Sequence, residues 1–446
     1  MTTTVAVSES RPVEASDRSE LRRVILSSYL GSTIEMYDFI LYATASTVVF
    51  GPVFFADLDP LWGTVASYAL FAIGYIARPL GGVVFGHFGD LVGRKRMLLI
   101  AMLVMGLASF AVGLVPAVPT WGALALVVLR AVQGIAIGGE WGGAALMSLE
   151  HSPTRSRGLA ASFANAGGPA GAFLGTVALA LVALLPKDEF LSWGWRVPFL
   201  ASIVLLAVGL WVRSSISESP VFQAAMERQE ELEAERATRK LPIAEVLRRP
   251  GTLVAVAIVG MGAFVIQALF STMGITIAVT NGVSESQGLW AFAISQAVAA
   301  FTIPVSAAIS DRVGRRPVML TGLLATAALG FPVFHLMSSG SWPQVILGFL
   351  LACPVLQSLT YGPLAAFLTE NFSTTSRYTG ASLGYQLASL LGAGFTPLIT
   401  SSIFAAQHGT YAGVGLFLVG GVLVSAVVLA VAARETRGRD LVADVA

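Results

Sequence analysis

The sequence predicts an all-α membrane protein: twelve transmembrane helices in two six-helix, pseudo-symmetric halves. Three observations carry this. Hydrophobic residues make up 55% of the 446 positions and charged residues only 12%, against about 25% charged in an average soluble domain, so a globular surface would go uncovered. The mean hydropathy of +0.76 agrees. The apolar residues collect into twelve blocks, most of about 20 residues or more, the length that crosses a bilayer as a helix. Finally, two loop motifs recur at nearly the same offset, as a duplicated six-helix unit requires.

This composition excludes a soluble enzyme, a nucleic-acid binder and a disordered chain. The net charge of +1 implies no polyanionic partner. A single cysteine, Cys353, excludes a disulfide framework and a cysteine-based metal site. His87, His151, His335 and His408 show no metal-ligand spacing, and no nucleophile–base–orienter set is visible. No metal, cofactor or enzymatic activity is expected.

Residues 1–21 are polar, lack the apolar run of a signal peptide, and read as a disordered tail. The predicted spans lie near 24–50, 62–88, 97–116, 121–147, 159–184 and 195–213, then 252–279, 287–309, 317–337, 343–368, 379–404 and 411–433. They give a first half at 22–213 and a second at 251–434, followed by a tail at 435–446. Stripes of small residues, Gly134, Gly138, Gly142 and Gly167, Gly171, Gly175, allow close helix approach. The connection at 214–250 is the long internal break and carries a charged helical stretch from Met226 to Lys240. It reads as a solvated helix on a linker, or as a helix docked against both halves. Lysine and arginine concentrate in the even-numbered connections and at the ends, which puts both termini in the cytoplasm by the positive-inside rule.

The repeat is specific. Gly86-His87-Phe88-Gly89-Asp90-Leu91-Val92-Gly93-Arg94-Lys95-Arg96 follows the second span, and Ser310-Asp311-Arg312-Val313-Gly314-Arg315-Arg316 follows the eighth, at an offset of 221 from Asp90 to Asp311. Glu150 ahead of Ser156-Arg157 recurs as Glu370 ahead of Ser376-Arg377, at an offset of 220. Glycine permits the tight turn, and each aspartate lies where a helix dipole favours an anion. Gly86, Asp90, Gly93, Arg94, Asp311, Gly314 and Arg315 are therefore candidates either for anchoring the topology or for a latch between the halves.

On these loop motifs, and on Arg130-Ala131-Val132-Gln133-Gly134 in the fourth span, the chain resembles the major facilitator superfamily over about residues 22–440. More closely it resembles the metabolite:proton symporter branch, most of all its shikimate-type transporters. Glu35-Met36-Tyr37-Asp38-Phe39, Ala77-Arg78-Pro79-Leu80-Gly81-Gly82, Gly138-Gly139-Glu140-Trp141-Gly142-Gly143 and Ser192-Trp193-Gly194-Trp195-Arg196-Val197-Pro198-Phe199 carry this likeness. So do Glu218-Ser219-Pro220-Val221-Phe222 and the stretch from Tyr361-Gly362-Pro363 to Arg377-Tyr378-Thr379-Gly380. Met36 departs from the branch, which usually has Trp there. The long C-terminal coiled coil of osmosensing members is not expected here. The resemblance implies a plasma (inner) membrane, multi-pass carrier working by alternating access.

Ionisable residues at bilayer depth are functional suspects. Glu35 and Asp38 share one face of the first helix, Glu35 roughly 18 Å in from Arg23 at 1.5 Å per residue. Arg78 lies on the second helix, Arg130 and Glu140 on the fourth. Two arginines against three carboxylates leave one carboxylate without a counter-charge, and a desolvated carboxylate in that state takes up a proton. Asp38, Glu35, Arg130 and Glu140 are the proton-coupling candidates. Related sugar porters, by resemblance, use a first-helix Asp and the fourth-helix Arg as the proton switch. Arg78 and Arg130 are the candidate holders of a substrate carboxylate, because a planar guanidinium offers two prongs. Tyr37, Gln133 and Trp141 of the first half join them as candidates, as do Gln267, Gln357, Tyr361, Tyr385 and Gln386 of the second. The expectation is symport of a proton with a small organic acid, shikimate or a related hydroxylated or aromatic mono- or dicarboxylate, by a monomer whose other partner is the lipid bilayer. A betaine/proline-type zwitterion symporter remains open, as do a drug/proton antiporter, hinted at by Gly168-Pro169, and a transport-dead sensor.

Overall fold

The computed structural model describes residues 18–55, 60–224, 226–227 and 241–439. Twelve long helical segments occupy the expected blocks: α1 (Arg18–Val48), α2 (Pro60–Val92), α3 (Arg94–Leu114), α4 (Pro119–Glu150), α5 (Arg157–Val182) and α6 (Arg196–Ser214), then α7 (Pro250–Thr280), α8 (Glu285–Val313), α9 (Arg315–Met337), α10 (Trp342–Glu370), α11 (Arg377–Ala406) and α12 (Ala412–Val431). Among the described residues, nine of these are long and apolar enough to cross a bilayer. Large apolar side chains such as Trp121, Trp211, Phe301 and Leu398 stay exposed on the outer face, as lipid contact requires.

Local sequence explains the boundaries. Proline stands in the first turn of α4, α7 and α10, where its missing N–H costs nothing. Ser284 and Gln287 form a capping box at the start of α8. The joints between α2 and α3 and between α8 and α9 are single glycines, Gly93 and Gly314, each at φ 117°, a region L side chains rarely adopt. Three helices of the second half, α7, α10 and α11, each widen into a π-type turn, at Phe270–Gly274, Leu351–Gln357 and Leu390–Gly394.

Within each half the helices pack through the glycine stripes. A Cβ at Gly134 or Gly138 would overlap the carbonyl of Gly74 or Arg78 on α2; at Gly167 or Gly171 it would overlap that of Tyr29 or Thr33 on α1. The halves meet along α2 and α4 against α11, and α5 against α8 and α10.

The ends differ from expectation. Arg18 to Leu21, read as part of a disordered tail, form the first turn of α1, because the Glu20 carboxylate accepts hydrogen bonds from the backbone N–H and hydroxyl of Ser217, both at 2.7 Å. Residues 1–17 lie outside the described residues, as does nearly all of the Met226–Lys240 stretch. The described part of the linker contains a short helix, Pro242–Arg248, that packs against α2, α7 and α11. Its Glu245 accepts hydrogen bonds from Ser373 and Thr375. The start of the C-terminal tail is also pinned: Glu435 accepts from the backbone N–H groups of Arg315 and Arg316 at 2.9 and 3.0 Å.

The stripe generates a test. Gly138→Val would force a branched side chain against the α2 backbone. Overpacking of this kind costs about 1–3 kcal/mol or more, so the purified variant should unfold several degrees below the parent in a thermal scan, whereas Gly420→Val, at a position open on all sides, should not.

Candidate functional site

Among the described residues, the membrane-depth charges of the first half gather in two buried groups and leave two side chains over. In the first group, the Asp38 carboxylate accepts a hydrogen bond of 2.8 Å from Ser202 of α6 and lies beside the Ser109 hydroxyl of α3. Ser109 accepts from Gln133 Nε2 at 2.7 Å, and Gln133 Oε1 accepts from Arg130 Nη1 at 3.5 Å. Arg130, expected to work as a pair with Asp38, thus reaches Ser109, beside Asp38, through Gln133. Gln133, expected at the substrate, is the link. The Arg130 guanidinium also lies over the Tyr42 ring at 4.3 Å and the Phe39 ring at 5.3 Å, contacts that favour a desolvated cation.

In the second group, Glu140 Oε1 is ion-paired with Arg213 Nη2 at 2.8 Å, and Arg213 Nη1 donates to the carbonyl of Leu98 at 3.1 Å. Arg213 is 1% exposed. Its side chain passes through the space left by Gly31, where a Cβ would overlap the guanidinium. This corrects the charge count: three arginines, not two, stand at depth, and Glu140 has its counter-charge. The sequence hid this because Arg213 sits at the end of α6, where it reads as a headgroup anchor. Gly31 on α1 is the one signal pointing to it.

Glu35 and Arg78 remain. Arg78 is 8% exposed, Glu35 9%. The Arg78 guanidinium lies over the rings of Tyr75 and Phe39 at 4.5 and 4.8 Å. Among the described residues, neither side chain makes a hydrogen bond or an ion pair within 4.0 Å. Facing them from the second half is an aromatic group. Tyr361 of α10 and Tyr385 of α11 share a hydrogen bond of 2.8 Å, Phe264 of α7 meets both rings edge-on, and Trp141 of α4 stacks on Tyr385 at 3.5 Å. Asn165 of α5 ties this group together, accepting from Trp141 Nε1 and donating to the carbonyl of Tyr361, both at 2.7 Å; no sequence pattern points to Asn165.

The other candidates divide. Gln386 donates to the carbonyl of Gly138 at 3.2 Å, while its Oε1 is buried without a partner. Gln357 is buried in the π turn of α10, one turn before Tyr361. Gln267 is half-buried on α7, one turn past Phe264. Tyr37 does not join them: its hydroxyl donates to the carbonyl of Pro198 at 2.9 Å and its ring belongs to an apolar cluster with Leu41, Leu179 and Phe199.

The arginine-rich end is closed by reciprocal contacts. Asp90 of the first half accepts from the backbone N–H groups of Tyr378 and Thr379 at the start of α11, at 3.1 and 2.9 Å, and from the Thr379 hydroxyl. Asp311 of the second half accepts from Gly158 and Leu159 at the start of α5, both at 2.9 Å. Arg94 pairs with Glu150, which also receives Arg377 from the other half at 3.2 Å. Arg315 pairs with Asp311 at 2.6 Å and Glu370 at 3.2 Å. A third repeat goes with these two. Glu218 and Glu435 seat their carboxylates at Gly93 and Gly314, and the following hydroxyls, Ser219 and Thr436, donate to Glu150 and Glu370 at 2.5 and 2.6 Å. Gly86 lies against Thr379, where a Cβ would be 2.6 Å from its Cα.

The buried pair yields a prediction. Arg213→Leu leaves Glu140 buried and unpaired, at a cost of about 3–5 kcal/mol, and the variant should lose most of its thermal stability. Adding Glu140→Gln removes the stranded charge and should restore much of it. A double variant as unstable as the single one would mean that the pair contributes packing alone.

Comparison with known proteins places this architecture. The sugar (and other) transporter family model matches residues 24–246 and 225–443. The chain is 36% identical to the shikimate transporter of Escherichia coli K12 over 94% of this chain and 96% of that one. It is 39% identical to the inner membrane metabolite transport protein YhjE of the same strain, over 94% and 95%. To the proline/betaine transporter of that strain it is 30% identical, over 97% and 87%. Among solved structures, the proton:xylose symporter XylE bound to 6-bromo-6-deoxy-D-glucose superimposes with a TM-score of 0.78 at 18% identity, over 96% of this chain and 98% of that one. With its duplicated six-helix unit and repeated loop motifs, the chain belongs to the sugar (and other) transporter family of the major facilitator superfamily, and is a transporter rather than an enzyme.

Proposed function

We propose that this transporter is a bacterial inner-membrane symporter that carries a small organic acid inward together with a proton, and that shikimate or a related hydroxylated or aromatic monocarboxylate is its substrate. The observation that carries the reading is Arg78: a buried guanidinium, lying against two aromatic rings, with no carboxylate within 4.0 Å among the described residues. A substrate carboxylate can engage it directly through a two-pronged contact. The tyrosine hydroxyls opposite suit a hydroxylated ring, and the ring faces of Tyr385, Phe264 and Trp141 suit its plane. The likeness to a shikimate transporter over nearly the whole chain supports the same substrate class.

Proton coupling belongs to Asp38. Its carboxylate is buried, and the chain through Ser109 and Gln133 links its charge state to Arg130. The arginine-rich end is the cytoplasmic end, with both termini there, and the protein acts as a monomer. The contacts of Asp90 and Asp311 then hold the carrier closed to the cytoplasm, and breaking them permits the halves to rock.

In proteoliposomes, uphill accumulation of labelled shikimate should follow an imposed pH gradient and vanish on adding an uncoupler; accumulation driven equally by a sodium gradient alone would sink the reading. Asp38→Asn should abolish uphill accumulation while leaving measurable exchange. Arg78→Lys, which loses the planar fork, should weaken shikimate binding at least tenfold, about 1.4 kcal/mol, with little effect on a shikimate ester. Asp90→Asn and Asp311→Asn should slow transport severalfold with binding affinity nearly unchanged. The aromatic group around Tyr385 favours one second reading, a betaine-type ligand held by cation–π contacts. Competition of shikimate uptake by excess glycine betaine, with no loss in Arg78→Lys, would move it ahead.

A further inference from the structure

Glu35 and Arg78 together bear on how substrate and proton binding are linked, an inference that rests on the organic-acid reading above. Among the described residues, the membrane-depth charges of the first half have partners except at this place. Glu140 has Arg213 at 2.8 Å; Asp38 accepts from Ser202 at 2.8 Å and lies beside Ser109, which Arg130 reaches through Gln133. What is left is one carboxylate and one guanidinium, both nine-tenths buried or close to it, with no hydrogen bond or ion pair within 4.0 Å among the described residues.

The groups facing Glu35 can be named element by element. Arg78 comes from α2, Glu140 from α4 and Arg213 from α6. Tyr361 and Tyr385 come from α10 and α11 across the interface, and both feel the charges of Glu35 and Arg78. From α5 the glycine stripe of Gly167, Gly171 and Gly175 lies along α1, and α3 presents the Leu98 carbonyl to Arg213. Of the two cations, Arg213 is engaged by Glu140. Arg78 is therefore the cation that balances Glu35 in the empty site.

We infer that Glu35 exchanges places with the substrate carboxylate as the counter-charge of Arg78, and takes up one proton when it does so. An organic anion arriving at Arg78 would otherwise put two carboxylates on one guanidinium at low dielectric, with Glu140 close by. Like charges at such spacing repel strongly away from water. A proton from the side to which the site is open neutralises Glu35 and removes the repulsion. The site then remains close to neutral whether empty or loaded, which is the condition for moving it across a bilayer at low cost. On this account the protein has two protonation sites with separate duties: Glu35 sets whether substrate binds, Asp38 sets whether the loaded carrier turns over.

The sign follows from linkage. If binding takes up one proton, affinity falls about tenfold for each pH unit in the range where Glu35 is ionised in the empty carrier and protonated in the loaded one. Shikimate dissociation constants should be measured on the purified full chain between about pH 6 and pH 9, where a ligand carboxyl group is wholly ionised. The parent should show this loss of affinity toward high pH. Glu35→Gln should bind shikimate with an affinity independent of pH, and at the alkaline end more tightly than the parent. Asp38→Asn should keep the parent's dependence.

A Glu35→Gln variant that retains the tenfold slope, or an Asp38→Asn variant that loses it, overturns the inference. A second readout does not depend on any variant: in weakly buffered solution with a pH-indicator dye, the parent should take up about one proton per shikimate bound at the alkaline end, and no uptake overturns the inference equally. A parent that binds glycine betaine but no shikimate overturns the organic-acid reading itself, and the exchange at Arg78 with it.

Discussion

The structure depends on one constraint, that a helix end or a charge buried between the two halves must be satisfied by the opposite half. The helices α5 and α11 start at Ser156 and Ser376, neither of whose side chains caps its own helix. The first free N–H groups of each are taken by an aspartate from the other half: Asp311 for α5 and Asp90 for α11. A helix N-terminus carries roughly half a positive charge, so each cap is both a hydrogen bond and an ion–dipole contact, and the two are exchanged like a handshake. Arg377, crossing to Glu150, adds a full charge pair. None of these contacts survives separation of the halves at this end.

That dependence makes the interface two-state rather than graded. The carboxylates have either the backbone of the opposing helix or water as partner, and intermediate separations satisfy neither. The same residues explain why the loop signature occurs twice. Each copy supplies an aspartate to the partner half and an arginine to its own: Arg94 to Glu150 and Arg315 to Glu370. The glutamates after α6 and α12 complete each copy by occupying the space that only a glycine at positions 93 and 314 leaves open.

At membrane depth the same rule is met unevenly, and the proposed function is built on that unevenness. Glu140 and Arg213 form a direct ion pair. Asp38 and Arg130 are held by neutral partners, Ser202 and Gln133. Glu35 and Arg78 are left with aromatic faces and each other's field. A low-dielectric interior penalises an uncompensated charge heavily, which is why the proposed ligand and proton are placed at the least satisfied pair.

The twelve spans, the division into halves and the loop repeat are legible in the amino-acid order alone, because hydrophobic blocks and a duplicated motif are local, one-dimensional properties. That order also singled out Glu35, Asp38, Arg78, Arg130 and Glu140, since a charge inside an apolar run is visible without a fold. Partnerships were decided by the tertiary structure. Arg213 stands at the end of α6 in the sequence, yet it reaches Glu140 seventy-three positions away through the gap at Gly31. Gln133 looks like a ligand-binding amide and is a link between Arg130 and Ser109; Tyr37 looks like a neighbour of Asp38 and turns to Pro198, because successive residues on a helix point about 100° apart. Asn165 gave no signal at all, being one polar residue on a small-residue helix. Spacing along a chain identifies which residues carry charge, but only packing of one helix against another decides which charges meet.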